Sequence, residues 1–184
     1  LSSNLPKGAL NTVVAKSPIV LIVNRNNPVN GLASSELKGI FSGKIRNWKE
    51  VGGVDLEIKN VMLEPCVRHT MQKQVVIYGD TLNLTPAGKV NPVEFTNRLV
   101  SADQSALGQQ IYGYESKDVK VLRIDGMLPQ ESAPAGRYGF YQDFNIVTKG
   151  EPEGVVKDFI GFAASDEGGR IIKALIHVPS TGAL

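Results

Sequence analysis

The chain has 184 residues, and its 20 Lys and Arg against 18 Asp and Glu leave a net charge of +2. This length predicts one domain or two small lobes, and a hydrophobic fraction of 42% is enough for a globular core. So small a charge argues against a nucleic-acid partner. One cysteine excludes an internal disulfide, and with two histidines it leaves too few ligands for a His/Cys metal site, so no metal or cofactor is expected. No apolar run approaches the roughly 20 residues of a membrane span.

The first third of the chain predicts alternating strands and helices. Residues 1–16 show little periodicity and are predicted to form an extended arm. The apolar, β-branched run 19–23 predicts a strand covered on both faces. Ser34 or Ser35 is predicted to cap a short helix that ends at Gly43, and residues 56–63 predict a second strand.

The remainder continues the alternation, which indicates an α/β fold. Residues 81–91 are predicted to be a loop, Pro92 to open a helix, and residues 103–110 to form another short helix. Strands are predicted at 119–124 and 138–148, separated by a long loop at 125–136. Two helices follow at 152–164 and 166–175, the first with Val155, Phe159 and Phe162 on one face.

An ordered series of landmarks resembles one family. They are the run at 19–24, Gly31-Leu32, the stretch Glu36-Leu37-Lys38-Gly39-Ile40-Phe41-Ser42-Gly43-Lys44-Ile45, Asn47-Trp48, Gly52-Gly53, Asp125-Gly126, Gly136-Arg137-Tyr138, Ile146-Val147-Thr148-Lys149-Gly150, residues 156–162 and residues 167–172. Together they are similar to the phosphate-binding, periplasmic-binding-protein-like family that serves ABC phosphate importers. The resemblance covers most of the chain between Pro18 and Pro179.

The resemblance implies a type II periplasmic-binding-protein fold, whose two α/β lobes close on a small oxyanion such as phosphate. It also implies an ABC permease as partner, an extracytoplasmic or periplasmic location with any signal peptide removed, and no catalysis. Only residues 1–18 precede the strand that matches 19–23, so we expect a largely complete second lobe and the C-terminal part of the first. The expected division is an arm at 1–16, a second lobe at 17–136, and first-lobe elements at 137–184.

The anion-binding turn that the resemblance implies is altered in this chain. The family pattern is an Arg, a short spacer and Ser-Gly-Thr at a helix start. Here the corresponding stretch is Met62-Leu63-Glu64-Pro65-Cys66-Val67-Arg68-His69-Thr70, which lacks the hydroxyl donors and the glycine. The predicted site therefore binds an oxyanion only weakly. It consists of Cys66, Val67, Arg68, His69 and Thr70. Its alternative is a solvated helix start in a sensory or interaction domain that keeps only the fold.

Other motifs allow a functional and a structural interpretation. Cys66 and His69 lie three residues apart and could pair as thiolate and imidazole, but no third group orients them. Trp48 could stack on a ligand or pack in the core, and the core is the favoured interpretation. Lys38, Lys44, Arg46 and Lys49 could form a docking patch or a solvated face. Finally, an incomplete first lobe would leave apolar surface uncovered, which predicts self-association with exchange of the N-terminal arm.

Overall fold

A single long strand, β1 (Ala9–Asn24), runs through the middle of the computed structural model, which describes residues 5–63, 86–90, 93–129 and 138–176. The strand begins ten residues earlier than the predicted one. Its second half is the apolar run Ile19–Val23, in which every side chain is buried. Because this half is covered on both faces, it reads in the sequence as a continuous apolar segment. β1 crosses residues 16 and 17 without interruption, where the sequence predicts the end of the arm.

The remaining elements follow in the predicted α/β order. The other strands are β2 (Gly31–Leu32), β3 (Lys59–Leu63), β4 (Pro86–Val90), β5 (Ala106–Ile111), β6 (Val119–Val121), β7 (Arg123–Ile124) and β8 (Tyr141–Lys149). The helices are α1 (Ser34–Phe41), α2 (Val93–Ala102), α3 (Gly154–Ala163) and α4 (Asp166–Ile176), and a 3-10 turn covers Trp48–Val51.

β1 joins two parts of one mixed sheet. The strand order is β4-β3-β5-β1-β6, with β3 parallel to β4 and β5, and β1 antiparallel to β5 and β6. The first half of β1 leaves this order and pairs with β8 alone, from Ala9 opposite Lys149 to Pro18 opposite Tyr141. We call this two-stranded part the β1–β8 ribbon. The pairing register of this ribbon shifts between Val13 and Ala15.

Two apolar clusters form the core, one on each face of the sheet. The larger packs α1, Trp48 and Tyr138 against Ile19, Leu21 and Val23. The smaller packs Val100 of α2 against Val20 and Ile22. Gly108 of β5 permits the close approach on this second face, since a Cβ there would lie 2.7 Å from a methyl carbon of Val100. The predicted packing role of Trp48 is confirmed, because its side chain is completely buried.

Three local predictions are wrong. Residues 103–110 are not a helix, since β5 occupies most of that range, and the predicted loop at 81–91 contains β4. The cap of α1 is Ala33 rather than Ser34 or Ser35, and the Glu36 carboxylate accepts the Ala33 N–H at 2.7 Å. The face formed by Val155, Phe159 and Phe162 exists, but all three side chains are exposed.

An ion pair connects the amino ends of β3 and β5. Lys59 Nζ donates to Asp103 Oδ2 at 2.8 Å, and Asp103 Oδ1 accepts from Ser105 N at 2.9 Å and Oγ at 2.6 Å. These hydrogen bonds, led by that of Lys59, lower the pKa of Asp103 from 3.8 to about 2. The ionised carboxylate is therefore the form that the folded chain favours.

Asp103→Asn is expected to reduce the pH dependence of stability. Because the folded pKa of Asp103 is lower than the unfolded value, its contribution is complete above about pH 4 and is lost as the pH falls towards 2. The pair is partly exposed, so at pH 7 the variant should lose only about 1 kcal/mol in urea unfolding. Near pH 2 the variant and the wild type should converge. Asp118→Asn at an exposed position is the control; equal loss at both pH values would contradict the assignment.

Candidate functional site at the carboxyl edge of the sheet

The carboxyl ends of β3 and β5 lie at one edge of the sheet, because the two strands are parallel. At the same edge β1 enters from the ribbon, since Ile19 lies opposite Ile111 at the end of β5 and Tyr112 N donates to Pro18 O at 2.9 Å. In open α/β sheets, ligands bind outside the carboxyl ends of the strands. This edge is therefore the place where the fold favours a ligand.

Four buried polar side chains lie near this edge, and we call them the polar edge: Ser17, Gln109, Gln110 and Gln142. Ser17 on β1 is directly opposite Gln142 on β8, and Gln109 is opposite Leu21. Sequence reasoning missed these residues, because strand pairing over long distances brings them together. The one local signal is the pair of adjacent amides, Gln109 and Gln110, in a segment that is otherwise apolar.

Two atoms of the polar edge have no hydrogen-bond partner among the residues that the structure describes. They are Ser17 Oγ and Gln109 Oε1, both fully buried. Gln110 Oε1 instead accepts the Ile111 N–H at 3.0 Å, and Gln142 Nε2 donates to Asp143 O at 3.0 Å. A hydroxyl can donate to an oxyanion, and an amide oxygen can accept the proton of a monohydrogen phosphate. The polar edge itself carries no charge, so an anion there needs a cation from another part of the chain.

The starts of α1, of the 3-10 turn and of α4 are already supplied with carboxylates. At α1, Asp125 accepts from both the N–H and the hydroxyl of Ser34, the N–H at 2.8 Å. At the 3-10 turn, Glu50 accepts from Arg46 N and Asn47 N, and these hydrogen bonds lower the pKa of Glu50. The first turn of α4 carries Asp166 and Glu167. Carboxylates of the chain itself therefore interact with the dipoles of these helix starts, which makes the starts poor binding sites for an external anion.

A cavity of about 230 Å³ opens beside Asp125, with Met127, Tyr138 and Phe140 among its lining residues. The Tyr138 hydroxyl does not serve this cavity, because it donates to Ile19 O at 2.7 Å. Burial raises the pKa of Tyr138, so the hydroxyl keeps its proton. A carboxylate in the lining of this cavity disfavours an oxyanion.

The predicted site residues Cys66, Val67, Arg68, His69 and Thr70 lie outside the described residues. The described chain approaches them along β3, which ends at Leu63 at the carboxyl edge. Of the four cations proposed as a docking patch, Lys49 forms an ion pair with Asp55 at 3.0 Å, and Arg46 Nε donates to Gly43 O at 2.8 Å. These internal partners favour a solvated face over a patch.

Within 5–63, 86–90, 93–129 and 138–176, no group of three or more His, Cys, Asp and Glu side chains could hold a metal ion. None of the helices described there is both long and apolar enough to cross a bilayer.

Comparison with known proteins shows which class of protein this chain resembles. A family model described as a PBP superfamily domain matches residues 3–65. The phosphate-binding protein PstS of Bacillus subtilis (strain 168) is 29% identical over 165 residues, which are 88% of this chain and 54% of that protein. The chain thus spans about half the length of this curated relative.

Solved structures agree with the sequence relatives. A phosphate ABC transporter substrate-binding protein from Clostridium perfringens, with bound phosphate, has a TM-score of 0.80 and 28% identity over 94% of this chain and 74% of that one. An ABC-type phosphate transport receptor from Vibrio cholerae has a TM-score of 0.78 and 25% identity, with 95% and 74% covered. The predicted resemblance and the mixed α/β fold of a periplasmic phosphate-binding protein are therefore confirmed.

Proposed function

We propose that this protein is an extracytoplasmic solute-binding protein of the phosphate-importer type that binds a small oxyanion weakly. The observation that carries the proposal is the similarity to the Clostridium perfringens protein, which was solved with phosphate. As a binding protein it makes and breaks no bond, and it delivers its ligand to an ABC permease. Near the carboxyl edge of its sheet, the Ser17 hydroxyl and the Gln109 amide oxygen have no hydrogen-bond partner within the described part of the chain.

Weak binding follows from the residues between Met62 and Thr70. The Ser-Gly-Thr donors that the family resemblance implies are absent there. Each hydrogen bond to a charged group contributes roughly 1.5–3 kcal/mol, so the loss of three weakens binding more than about a thousandfold. Arg68 carries the one permanent positive charge among the five predicted site residues, and its guanidinium can bind an oxyanion through two parallel hydrogen bonds.

Titration calorimetry at low salt tests the proposal. Phosphate and sulfate are expected to bind no tighter than about millimolar. Arg68→Ala should abolish this binding and Arg68→Lys should weaken it, because an ammonium cannot reproduce the two parallel bonds. Arg25→Ala, at an exposed position on the loop after β1, is the matched control and should bind as the wild type does. Micromolar phosphate affinity would refute weak binding, and unchanged binding by Arg68→Ala would refute the site.

A second copy of the chain is also proposed as a partner. Among the described strands, β8 pairs only with β1, so β8 is an edge strand of the described sheet, and edge strands are prone to pair with another chain. Leu10 and Val147 on the ribbon are exposed apolar side chains. A two-stranded ribbon is marginally stable unless further strands or helices cover it. Pairing between ribbons, or exchange of residues 1–16, would supply that cover.

Light scattering at tens of micromolar, by order of magnitude, tests this association. The wild type is expected to show a mass above that of the monomer. Val147→Lys should reduce the mass, because a lysine on an edge strand opposes pairing with another strand. Val54→Lys, which adds the same charge at an exposed loop position, should leave the mass unchanged. A monomeric wild type would refute the association.

The alternative function is an interaction domain that keeps the fold without transport. One observation favours it: the exposed apolar face of α3, where Val155 is 80% and Phe159 61% exposed. A face of this kind suits a protein partner better than an oxyanion.

A further inference from the structure

The dipeptide Asn30-Gly31 joins the loop after β1 to β2. It is the one Asn-Gly pair in the sequence. An asparagine side chain can form a cyclic imide with the backbone nitrogen of the next residue, and glycine opposes this ring closure least because it has no Cβ. Asn30 is exposed, so water can reach its amide. The pair is therefore open to chemical modification, and its neighbours in the fold decide how readily the reaction occurs.

Packing against β7 keeps a glycine at position 31. A Cβ on Gly31 would lie 3.1 Å from both the Cβ and the carbonyl oxygen of Arg123, which is closer than ordinary contact. Arg123 N donates to Asn30 O at 3.0 Å. Further along the same strand pair, Asp125 N donates to Leu32 O at 3.0 Å. Residues 30 and 32 therefore bond to β7. Because successive residues of a strand direct their backbone groups to opposite sides, the N–H of Gly31 points away from β7.

Lys120 on β6 contacts the side chain of Asn30. Its Nζ donates to Asn30 Oδ1 at 2.8 Å and also to Asn27 O. An ammonium has only donors, so the atom of Asn30 that faces it is the amide oxygen. Both partners are neutral, and none of the ion pairs found in the described part of the chain involves Lys120. Burial of this ammonium lowers its pKa. A half-buried cation without a counter-charge thus lies on the carbonyl that imide formation attacks.

The reaction develops negative charge at the oxygen that this ammonium contacts. The Gly31 nitrogen gives its proton to water and attacks Asn30 Cγ, which moves charge onto Oδ1. Lys120 donates to that oxygen and stabilises the charge. The Cγ–Nδ2 bond then breaks, and ammonia leaves with a proton taken from water. One water molecule opens the imide at either carbonyl. The net reaction consumes one water, releases one ammonia and leaves aspartate or isoaspartate at position 30.

We propose that Asn30 is a deamidation site of the folded protein, where Lys120 polarises the amide and then pairs with the carboxylate that forms. The reaction gives the ammonium a counter-charge, so the product is the form that this part of the fold favours. The pair Asp125-Gly126 is held differently, because Ser34 donates to both carboxylate oxygens of Asp125. The inference does not depend on oxyanion binding, since no residue of the predicted anion site takes part.

Peptide mass mapping of the whole chain, incubated in mildly alkaline buffer, tests the site. The peptide with Asn30 is expected to gain about 1 Da before any other asparagine peptide does. Lys120→Met should slow this gain at least about threefold, because the donor to Oδ1 is lost. Lys120→Arg keeps a donor and should slow it less. Lys117→Met, which removes an exposed lysine three positions away, is the matched control and should react as the wild type does.

The same measurement in urea separates the effect of the fold from that of the sequence. The contact is absent in the unfolded chain, so the wild type and Lys120→Met should then deamidate at equal rates. Three results would overturn the proposal. The first is an Asn30 amide that stays intact in the folded chain while the unfolded chain reacts. The second is an equal or faster reaction of folded Lys120→Met, and the third is an earlier mass gain at another asparagine.

Asn30→Asp gives a second readout that does not require a substitution of Lys120. Its carboxylate should pair with the ammonium, so thermal unfolding at neutral pH should occur at or above the temperature of the wild type. Pairing lowers the pKa of the carboxyl group in the folded chain, and any gain should therefore disappear as acid protonates the group. A midpoint below that of the wild type at neutral pH would refute the pairing.

Discussion

Trp48→Ala is expected to lower the free energy of unfolding by about 3–5 kcal/mol, which is a large part of the stability of a domain of this size. The indole is completely buried in the larger core cluster. Its Nε1 also donates to Ser105 O at 2.9 Å, which connects the 3-10 turn to the start of β5. Truncation therefore leaves a cavity and removes one of the two hydrogen bonds to Ser105 O, the other being donated by Lys59 N at 3.0 Å.

Trp48→Phe separates these two effects. Phenylalanine keeps most of the apolar volume but cannot donate, so this variant should lose about 1–3 kcal/mol less than Trp48→Ala does. Urea unfolding followed by circular dichroism measures both, with equal m-values required for the comparison. A loss below about 1 kcal/mol for Trp48→Ala would show that Trp48 does not hold the core together.

Substitution of one of two adjacent glycines in α4 is also expected to have a large effect on stability. A Cβ on Gly168 would lie 2.1 Å from the carbonyl oxygen of Phe162, a backbone atom that cannot move without shifting α3. Gly168→Ala is therefore expected to destabilise the contact between α3 and α4 by about 1–3 kcal/mol or more.

Gly169→Ala is the matched control, because a Cβ there meets nothing within 4 Å. Alanine is a better helix former than glycine, so this variant should gain about 0.5–1 kcal/mol. Thermal unfolding of the two variants should move in opposite directions from the wild type. Equal shifts for both would contradict the close approach at Gly168.

Elements with a strong local pattern could be predicted from the sequence. The apolar run of β1 and the amphipathic patterns of α1, α3 and α4 each fall where the structure places an element. β5 was missed because Ala, Leu and Gln favour helix locally, while pairing with β1 and β3 decides the outcome. β4 was missed because it starts at Pro86 and contains Gly88, which usually indicate a loop. Proline is tolerated as the first residue of a strand, particularly at a sheet edge.

The candidate site also has one part that could be predicted from the sequence and another part that could not. Arg68 and its neighbours are predicted from an ordered resemblance, which needs no knowledge of contacts, and they remain a prediction. Ser17 and Gln142 are 125 positions apart, and only the pairing of β1 with β8 brings them together. The exposure of Val155, Phe159 and Phe162 could not be predicted either, because a periodic pattern predicts which residues share a face but not what covers that face.

The long central strand has a consequence for biosynthesis. Val23 pairs with Leu107, and Ala9 pairs with Lys149, so β1 finds its partners only after much of the chain has been made. At a synthesis rate of about 5–20 residues per second, roughly 5–20 s pass between the emergence of the apolar run 19–23 from the ribosome and that of β5. An unpaired β-branched segment is prone to aggregation during that interval. A chaperone that binds nascent extended segments would therefore be expected to bind residues 19–23 before any other part of the core.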